Sequence, residues 1–254
     1  MSSFLRMIAA LLLLGPFAVA AWLAVTAPDG AITSVNIQKA LQQGGLLRAL
    51  ATSAAVAAAV ALLQVTALAP VAWWLARSPG RMAAGLRIAL WAAILLPMEA
   101  AFVPLFEITA KLGLYNSLFG VVLPQAAAAF QVFFLESAFR AVPRSLLEAA
   151  HLDGLGEAEI FRQIAVPLAR PALASAAVLG FLGAYGSFLW PLVVLRDADL
   201  HTVPVALAQL TGQFSADLRA LAAGALLAVI PSTILYLLAQ SSVRAGIGQG
   251  AVKG

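Results

Sequence analysis

Long apolar stretches separated by short polar segments dominate the pattern of this chain. Each stretch is long enough, or nearly so, for the roughly 20 apolar residues that a helix needs to cross a bilayer. The pattern therefore predicts an all-α integral membrane protein with six transmembrane helices, over residues 7–27, 49–76, 88–106, 118–135, 172–195 and 221–238. We expect the first stretch to be retained, because it exceeds the 7 to 15 apolar residues of a signal peptide.

The amino-acid composition supports an integral membrane protein. Hydrophobic residues make up 63% of the 254, against 15 basic and 11 acidic residues, with a mean hydropathy of +0.97. Soluble domains carry about 25% charged residues. The basic residues are spread thinly, which excludes a nucleic-acid-binding patch. The chain has no cysteine and two histidines, so we expect neither a disulfide framework nor a metal site.

Orientation follows from the basic residues between the predicted spans. With both termini on one face, that face carries ten Lys and Arg residues and the other face carries five. Cytoplasmic loops of membrane proteins are enriched in these residues. The count therefore predicts that both termini are cytoplasmic.

One polar connection, residues 139–171, is too long and too amphipathic to be a simple turn. Pro143 can open a short helix, and Asp153 and Gly154 can end it, because glycine adopts the left-handed conformation found after helix ends. A second helix is predicted to begin near Gly156 and to close at Pro167. The segment predicts a surface element, on the cytoplasmic side, that is available to a soluble partner.

The same segment resembles the coupling loop of the permease subunits of binding-protein-dependent ATP-driven importers. That loop reads EAA, three residues, G, nine residues, then I-x-L-P, and Val166 here replaces the leucine. The matching residues are Glu148, Ala149, Ala150, Gly154, Ile164 and Pro167. LLPMEAAFVP in the third span, KLGLYNSLFGVVLP before the fourth and GAVKG at the C-terminus are similar to the carbohydrate-importer branch.

The resemblance implies a MetI-like type I importer permease fold, with residues 1–254 as a single permease domain in a bacterial or archaeal plasma membrane. It implies as partners a second permease subunit, two ATPase subunits and an extracytoplasmic solute-binding protein. It also implies that Glu148, Ala149, Ala150, Gly154, Ile164 and Pro167 couple this chain to the ATPase, whereas Asp153 more simply stabilises its own turn. The chain has no phosphate-binding loop, so we expect it to bind no cofactor itself, with ATP and Mg²⁺ on the ATPase subunits.

Four residues within the predicted spans are candidates for the solute path. Glu99 is an ionisable residue inside a span, a position that is costly and often functional, although it could equally satisfy a backbone group freed by Pro97. Gln131 could bond to sugar hydroxyls, and the aromatic rings of Tyr185 and Trp190 could stack on sugars. Trp190 could instead anchor the span at the membrane interface.

Two smaller patterns predict helix packing. Gly180, Gly183 and Gly186 recur every three residues, which favours close approach of a neighbouring helix. Glu136 and Arg140 are four residues apart and predict an ion pair on one helix face.

Other functions remain open alternatives. An ion-gradient-driven transporter would act without an ATPase, and it predicts several intramembrane acids and two related halves. A permease for glycerol 3-phosphate or glycerophosphodiesters would have the same fold. A membrane-embedded enzyme would need clustered acid and base groups, which the spans do not show. The sequence predicts that the chain is not itself an enzyme.

Overall fold

The computed structural model describes residues 3–43, 45–213 and 217–251, without the side chains of residues 3, 4, 6–11, 43, 98, 99, 210–213 and 242–251. Within these residues the regular structure is helical, apart from one isolated antiparallel bridge between Thr26 and Ile32. The prediction of an all-α protein is confirmed. The helices are α1 (Ser3–Val25), α2 (Val35–Gln43), α3 (Leu46–Arg77), α4 (Arg81–Leu95), α5 (Phe102–Lys111), α6 (Leu118–Ala126), α7 (Ala129–Arg140), α8 (Arg144–Leu152), α9 (Glu157–Ile160), α10 (Val166–Leu168), α11 (Arg170–Tyr185), α12 (Leu189–Val194), α13 (Val203–Gln213) and α14 (Leu218–Ala251).

Few of the predicted spans are single straight helices. Among the described residues, α3 and the Leu218–Ser241 part of α14 are long and apolar enough to cross a membrane. Two further pairs qualify only as bent units: α6 with α7, at 45°, and Glu157–Leu168 with α11, at 78°. A shorter apolar helix, Leu12–Val25, lies within α1. The described helices thus give two spans, or up to four, and the count of six stays a prediction, as does the cytoplasmic location of the termini.

The predicted helix over residues 88–106 is wrong as a single element. α4 begins seven residues earlier and ends at Leu95; a 3₁₀ turn, Met98–Ala101, and then α5 follow. Leu96 is extended, with ψ of 128°. The residue before a proline is disfavoured in the α region, so Pro97 ends α4.

The predicted helix over residues 118–135 is also divided, with α6 ending at Ala126 and α7 continuing to Arg140. Pro124 lies inside α6 and has no N–H to continue the helical hydrogen bonds. Ala127 and Ala128 have non-helical ψ values of 72° and 104°. The break places the carbonyl of Gln125 where a side chain from α3 can bond to it.

The last two predicted spans differ in opposite ways. Residues 172–195 contain most of α11, which begins at Arg170 and ends at Tyr185, and all of α12, so the predicted single helix is interrupted. Residues 221–238 lie inside α14, which extends to Ala251. Hydropathy marks the part of a helix suited to lipid, whereas the helix itself continues until a terminating signal.

The chain divides into two compact units. One comprises Met1–Ala54 and Ser187–Ile234, and the other Ala55–Gly186 and Leu235–Gly254. The core of the first is rich in small residues: Ala24, Ala40, Leu46, Ala49, Val203, Ala206, Ala223 and Ala228. The second has a larger core with aromatic residues, including Trp73, Leu135, Phe139 and Ile160.

Candidate functional site

The first half of the segment 139–171 is the amphipathic helix α8. Leu147 and Ala150 are buried, whereas Glu148 and Ala149 are exposed. Leucine and alanine three residues apart lie on one helix face, so α8 packs on the protein through that face. The acidic residue and one alanine of the EAA motif are left on the outside.

Gly154 makes the turn at the end of α8. Its φ is +83°, in the left-handed region. The N–H of Gly154 donates to the carbonyl of His151 at 3.1 Å, and the N–H of Leu155 donates to that of Ala150 at 3.0 Å. These bonds satisfy carbonyls that a helix end leaves open, and the predicted glycine termination is confirmed. Asp153 lies exposed at the same turn.

The second half of the segment begins as predicted and ends differently. Gly156 caps α9, and its N–H donates to Glu159 Oε2 at 2.9 Å. The helix then widens into a π turn, Phe161–Ala165, before Pro167. The prediction that Pro167 closes the helix is wrong, because the helix runs on to Leu168. In the π turn Val166 donates to the carbonyl of Phe161, five residues back, so the backbone adjusts just before the proline.

Three aromatic rings join this segment to α3 and α7. Trp73, Phe139 and Phe161 lie with ring centroids 5.7 to 6.0 Å apart. The guanidinium of Arg77 lies 5.4 Å from the centre of the Trp73 ring and 3.9 Å from Glu157 Oε1. Aromatic pairs and cation–π contacts at such distances stabilise by roughly 0.5–1.5 kcal/mol each. The second half of the segment is therefore attached to α3 through the side chains of Glu157 and Phe161.

A small polar cleft adjoins α8. It has a volume of about 280 Å³ and is lined by Ala76, Arg77, Arg144, Leu147, Glu148 and His151. His151 Nε2 lies 3.5 Å from Glu157 Oε1. The motif residue Glu148 thus faces a recess bordered by two arginines.

The candidates for the solute path lie apart from this segment. Gln131 is buried: its Nε2 donates to Gln64 Oε1 at 3.1 Å and to the carbonyl of Ala176 at 3.0 Å. Gln64 Nε2 in turn donates to the carbonyl of Gln125 at 2.9 Å. Among the described residues nothing bonds to Gln131 Oε1. Gln131 therefore joins α3, α7 and α11, and its proposed contact with solute stays a prediction.

Tyr185 and Trp190 are both buried. Tyr185 stacks on Phe181, with ring centroids 5.7 Å apart, and Trp190 is 1% exposed within its unit. Such burial differs from that of an interface anchor, which keeps part of its ring at the headgroup level. Glu99 falls in the 3₁₀ turn Met98–Ala101, and its side chain lies outside the described part of the chain.

Only one of the three spaced glycines makes the predicted close approach. A Cβ at Gly180 would lie 2.1 Å from Gln64 Oε1, whereas one at Gly183 would meet nothing within 4 Å. A Cβ at Gly186 would make only an ordinary contact, 3.4 Å from the carbonyl oxygen of Leu182 in its own helix. A Cβ at Gly180 would therefore require the side chain of Gln64 to shift.

The structure adds a charged cluster that the sequence analysis described only in part. The predicted pair is confirmed, with Arg140 Nη2 2.7 Å from Glu136 Oε1. Arg87, for which the sequence predicts no partner, places its Nε 2.9 Å from the same oxygen and donates to the carbonyl of Leu75. A signal was available, since Glu136 falls at the end of an apolar stretch, where an acid normally has a partner.

Another ion pair lies outside the predicted spans. Lys39 Nζ is 2.8 Å from Asp217 Oδ2, and Asp217 Oδ1 accepts from the N–H of Ala220 in the first turn of α14. The hydrogen bond from Lys39, followed by that from Ala220, lowers the pKa of Asp217 below its ordinary value. The carboxylate both caps α14 and connects it to α2.

Comparison with known proteins places these features in a family. Residues 68–247 match the family described as binding-protein-dependent transport system inner membrane component. The chain belongs to this family. The matched region covers more than half of the chain and includes most of the second unit. It also includes the whole segment 139–171, which carries the coupling-loop motif.

Similar proteins within this family include sugar permeases. The chain is 38% identical over 161 residues to the arabinooligosaccharides transport system permease protein AraQ of Halalkalibacterium halodurans, covering 63% of this chain and 58% of that protein. It is 36% identical over 177 residues to the trehalose transport system permease protein SugB of Mycobacterium tuberculosis, covering 67% and 65%. The aligned region thus spans under two thirds of either relative.

A solved structure shows the same fold. The chain superimposes on a subunit of a bacterial ABC transporter involved in the import of the acidic polysaccharide alginate, with a TM-score of 0.83 and coverage of 94% of each chain. Sequence identity is 20%, so the likeness is one of fold. The predicted importer permease fold is confirmed.

Proposed function

We propose that this chain is one permease subunit of an ATP-driven importer for a sugar or sugar-like solute. It forms half of a translocation path with a second permease. Two ATPase subunits, which hold ATP and Mg²⁺, dock on the cytoplasmic loops of the two permeases, of which the segment 139–171 is the one in this chain. An extracytoplasmic binding protein delivers the solute. The chain itself binds no cofactor in this proposal, and it lies in a bacterial or archaeal plasma membrane with both termini in the cytoplasm.

The proposal rests on the two faces of α8, one buried and one exposed, and on the turn that follows it. Leu147 and Ala150 attach α8 to the protein, while Glu148 and Ala149 remain available on the outer face. Gly154 then reverses the chain without a side chain at the turn. A helix held on one face and bare on the other, with small residues at its end, suits insertion into a cleft of a partner.

Movement of α8 would reach the membrane helices by two routes. The aromatic contacts of Phe161 with Trp73 and Phe139 lead to α3 and α7. The 78° bend after Leu168 leads directly into α11. Closure of the ATPase around its nucleotide would favour one of two arrangements of these helices, which is how a partner shifts a two-state element.

The sugar class is supported by the relatives rather than by the path residues. The arabinooligosaccharide and trehalose systems to which the two permeases belong take up neutral carbohydrates by name. Gln131, Tyr185 and Trp190 are all buried within this chain, so most solute contacts in this proposal come from surfaces that the second permease completes. Glycerol 3-phosphate is the second solute class, which the resemblance left open.

The coupling experiment compares two glycine substitutions in the intact complex. Gly154→Asp puts a charged side chain at a left-handed position in the coupling turn. Gly113→Asp does the same after α5, where φ is +69° and nothing lies within 4 Å of the Cβ position, as at Gly154. The backbone strain and the added charge are thereby matched. The tagged chain is purified in mild detergent with its partner subunits, and bound ATPase is quantified.

We expect the wild type and Gly113→Asp to retain the ATPase and Gly154→Asp to lose most of it. Equal retention by all three would contradict docking on this segment. Purification of the wild type alone, with solute uptake into liposomes driven by an ion gradient and no ATP, would instead support the secondary transporter.

The solute is tested with the reconstituted complex. ATP hydrolysis is measured with the binding protein and either neutral oligosaccharides or glycerol 3-phosphate. We expect stimulation by oligosaccharides; stimulation by glycerol 3-phosphate alone would contradict the sugar class and leave the importer function intact.

A further inference from the structure

A second cavity lies between α4 and α7, and of its lining only Arg140 belongs to the segment 139–171. It has a volume of about 290 Å³ and is lined by Arg87, Trp91, Phe133, Glu136, Ser137 and Arg140. The coupling-motif residues, from Glu148 to Pro167, do not line this cavity. The lining is charged at one end and aromatic at the other.

The charged end has an excess of positive charge. Glu136 Oε1 accepts from both Arg87 and Arg140, so one carboxylate faces two guanidinium groups and a net charge of one positive unit remains. Arg87 is held by a further bond to the carbonyl of Leu75. Arg140 is 55% exposed and, among the described residues, donates only to Glu136. A guanidinium has five N–H donors, so Arg140 can bind an anion without leaving Glu136.

The other end is apolar and opens to the outside. Trp91 and Phe133 stack, with ring centroids 4.7 Å apart. Ile88 and Leu95 lie on the same face of α4 as Trp91, at spacings of three and four residues, and all three are exposed. From Ile88 to Leu95 this strip spans about 10 Å along the helix, at 1.5 Å per residue.

We propose that this cavity binds a membrane phospholipid with an anionic headgroup. Its phosphate accepts from the guanidinium of Arg140, beside the positive charge of Arg87. One acyl chain lies along the strip formed by Ile88, Trp91 and Leu95. An anion next to an apolar strip fits an amphiphile, and basic pockets between transmembrane helices are recognised sites for lipid headgroups. Arginine suits phosphate because its planar fork offers two parallel bonds.

Fluorescence quenching in the assembled complex tests the proposal, because Trp91 lies in the site itself. The complex is reconstituted into vesicles of phosphatidylcholine with a minor fraction of phosphatidylglycerol. Bromine atoms, which quench tryptophan on contact, are placed on the acyl chains of one lipid or the other. The chain has five tryptophans, so the contribution of Trp91 is the difference between the wild type and Trp91→Phe.

We expect brominated phosphatidylglycerol to quench the Trp91 signal several-fold more, per mole of lipid, than brominated phosphatidylcholine. Arg140→Gln should remove this preference and leave the Arg87 to Glu136 pair in place. Arg140→Lys, which keeps the charge and loses the fork, should retain part of it. Arg81→Gln is the matched control, an exposed arginine on α4 outside the cavity lining, and should leave the preference unchanged.

Three results would overturn the proposal. Equal quenching by the two lipids in the wild type would show that the headgroup is not recognised. Displacement of brominated phosphatidylglycerol by millimolar inorganic phosphate would identify a soluble anion as the ligand. Absence of quenching by either lipid would show that protein covers this face. None of these depends on the solute or on transport, so the importer function can fail or hold independently.

Discussion

The coupling turn and the buried polar clusters are ordered by different kinds of contact, although all belong to one compact unit. At Gly154 the stabilising bonds join residues three to five apart in sequence. In the amide cluster, Gln64, Gln131 and Ala176 are joined across 45 to 67 positions. The cluster of Arg87 and Glu136 spans 49 positions. A turn held by bonds between neighbouring residues can lie exposed and contact a partner. Bonds between residues distant in sequence hold the helices together.

This difference has a consequence for substitutions. Changes in the clusters should cost stability, because a buried polar group that loses its partner keeps the penalty of burial. Substitutions in the turn should lower stability little and should strongly reduce coupling to the ATPase. Measurements that reverse this order would show that the turn, too, depends on the rest of the fold.

The largest effect is expected for Glu136→Ala. The side chain of Glu136 is 6% exposed and faces Arg87 and Arg140. Its removal leaves Arg87 half-buried without a counter-charge, which costs about 3–5 kcal/mol. The measurement is the unfolding free energy in mixed detergent micelles. The control is Glu107→Ala, whose i, i+4 pair with Lys111 is exposed and contributes about 0.5 kcal/mol or less. Similar losses in the two variants would contradict a structural role for the cluster.

The next effect is expected for Gly180→Ala. The added Cβ would lie 2.1 Å from Gln64 Oε1, so Gln64 must move and its bonds with Gln131 and Gln125 weaken. We expect a loss of about 1–3 kcal/mol in unfolding free energy.

Gly183→Ala is the control on the same helix. Its Cβ meets nothing within 4 Å, and alanine favours a helix interior over glycine by up to about 1 kcal/mol. In the double variant Gln64→Ala with Gly180→Ala, the steric part of the loss should disappear. A Gly180→Ala protein as stable as Gly183→Ala would show that the amide cluster rearranges freely.

A smaller effect on stability is expected for Gly154→Ala, about 1 kcal/mol, because alanine is strained at a φ of +83°. Gly156→Ala is the control, since Gly156 has a φ of −77° and a Cβ there would be 3.7 Å from Glu159 Oε2. The unfolding free energy should be modestly lower for Gly154→Ala than for Gly156→Ala. Solute-stimulated ATP hydrolysis should differ more between them, with the larger loss in Gly154→Ala. A loss of several kcal/mol at Gly154 would mean that the turn supports the core.

The smallest effect concerns pH and lies in the other unit. The hydrogen bond from Lys39 lowers the pKa of Asp217 in the folded protein. The carboxylate therefore contributes stability above about pH 4, and this contribution is lost as the pH falls through the lowered value. We expect Asp217→Asn to lower the unfolding free energy by under about 1 kcal/mol at pH 7, because the pair is partly exposed. The difference from the wild type should shrink on acidification; a difference that grows would contradict the assignment.

Local signals were predicted well and helix bounds less well. The end of α8 at Gly154, the start of α9 after Gly156 and the ion pair of Glu136 with Arg140 follow from neighbouring residues, and the structure confirms them. The helix breaks after Leu95 and Ala126 were not predicted, and they fall inside stretches that were predicted as continuous spans. Hydropathy averages over a window, so it does not register where a proline interrupts backbone bonding inside an apolar stretch.

The amide cluster of Gln64 and Gln131 shows why contacts between distant helices could not be predicted from the sequence. Gln131 was predicted as a contact for solute because an amide can bond to sugar hydroxyls. In the structure its amide nitrogen bonds instead to groups of α3 and α11. No local pattern of residues 129–140 indicates which distant helix will satisfy the amide.

The amino-acid order alone determined that the chain is helical, apolar enough for a membrane, and equipped with a surface segment bearing the family's loop motif. These properties depend on composition and on contacts within about five residues. Tertiary structure alone decided that Gln64 crosses over Gly180 and that Arg87 shares Glu136 with Arg140. In an apolar environment a buried polar group must find a partner somewhere, and only the folded arrangement of helices decides where.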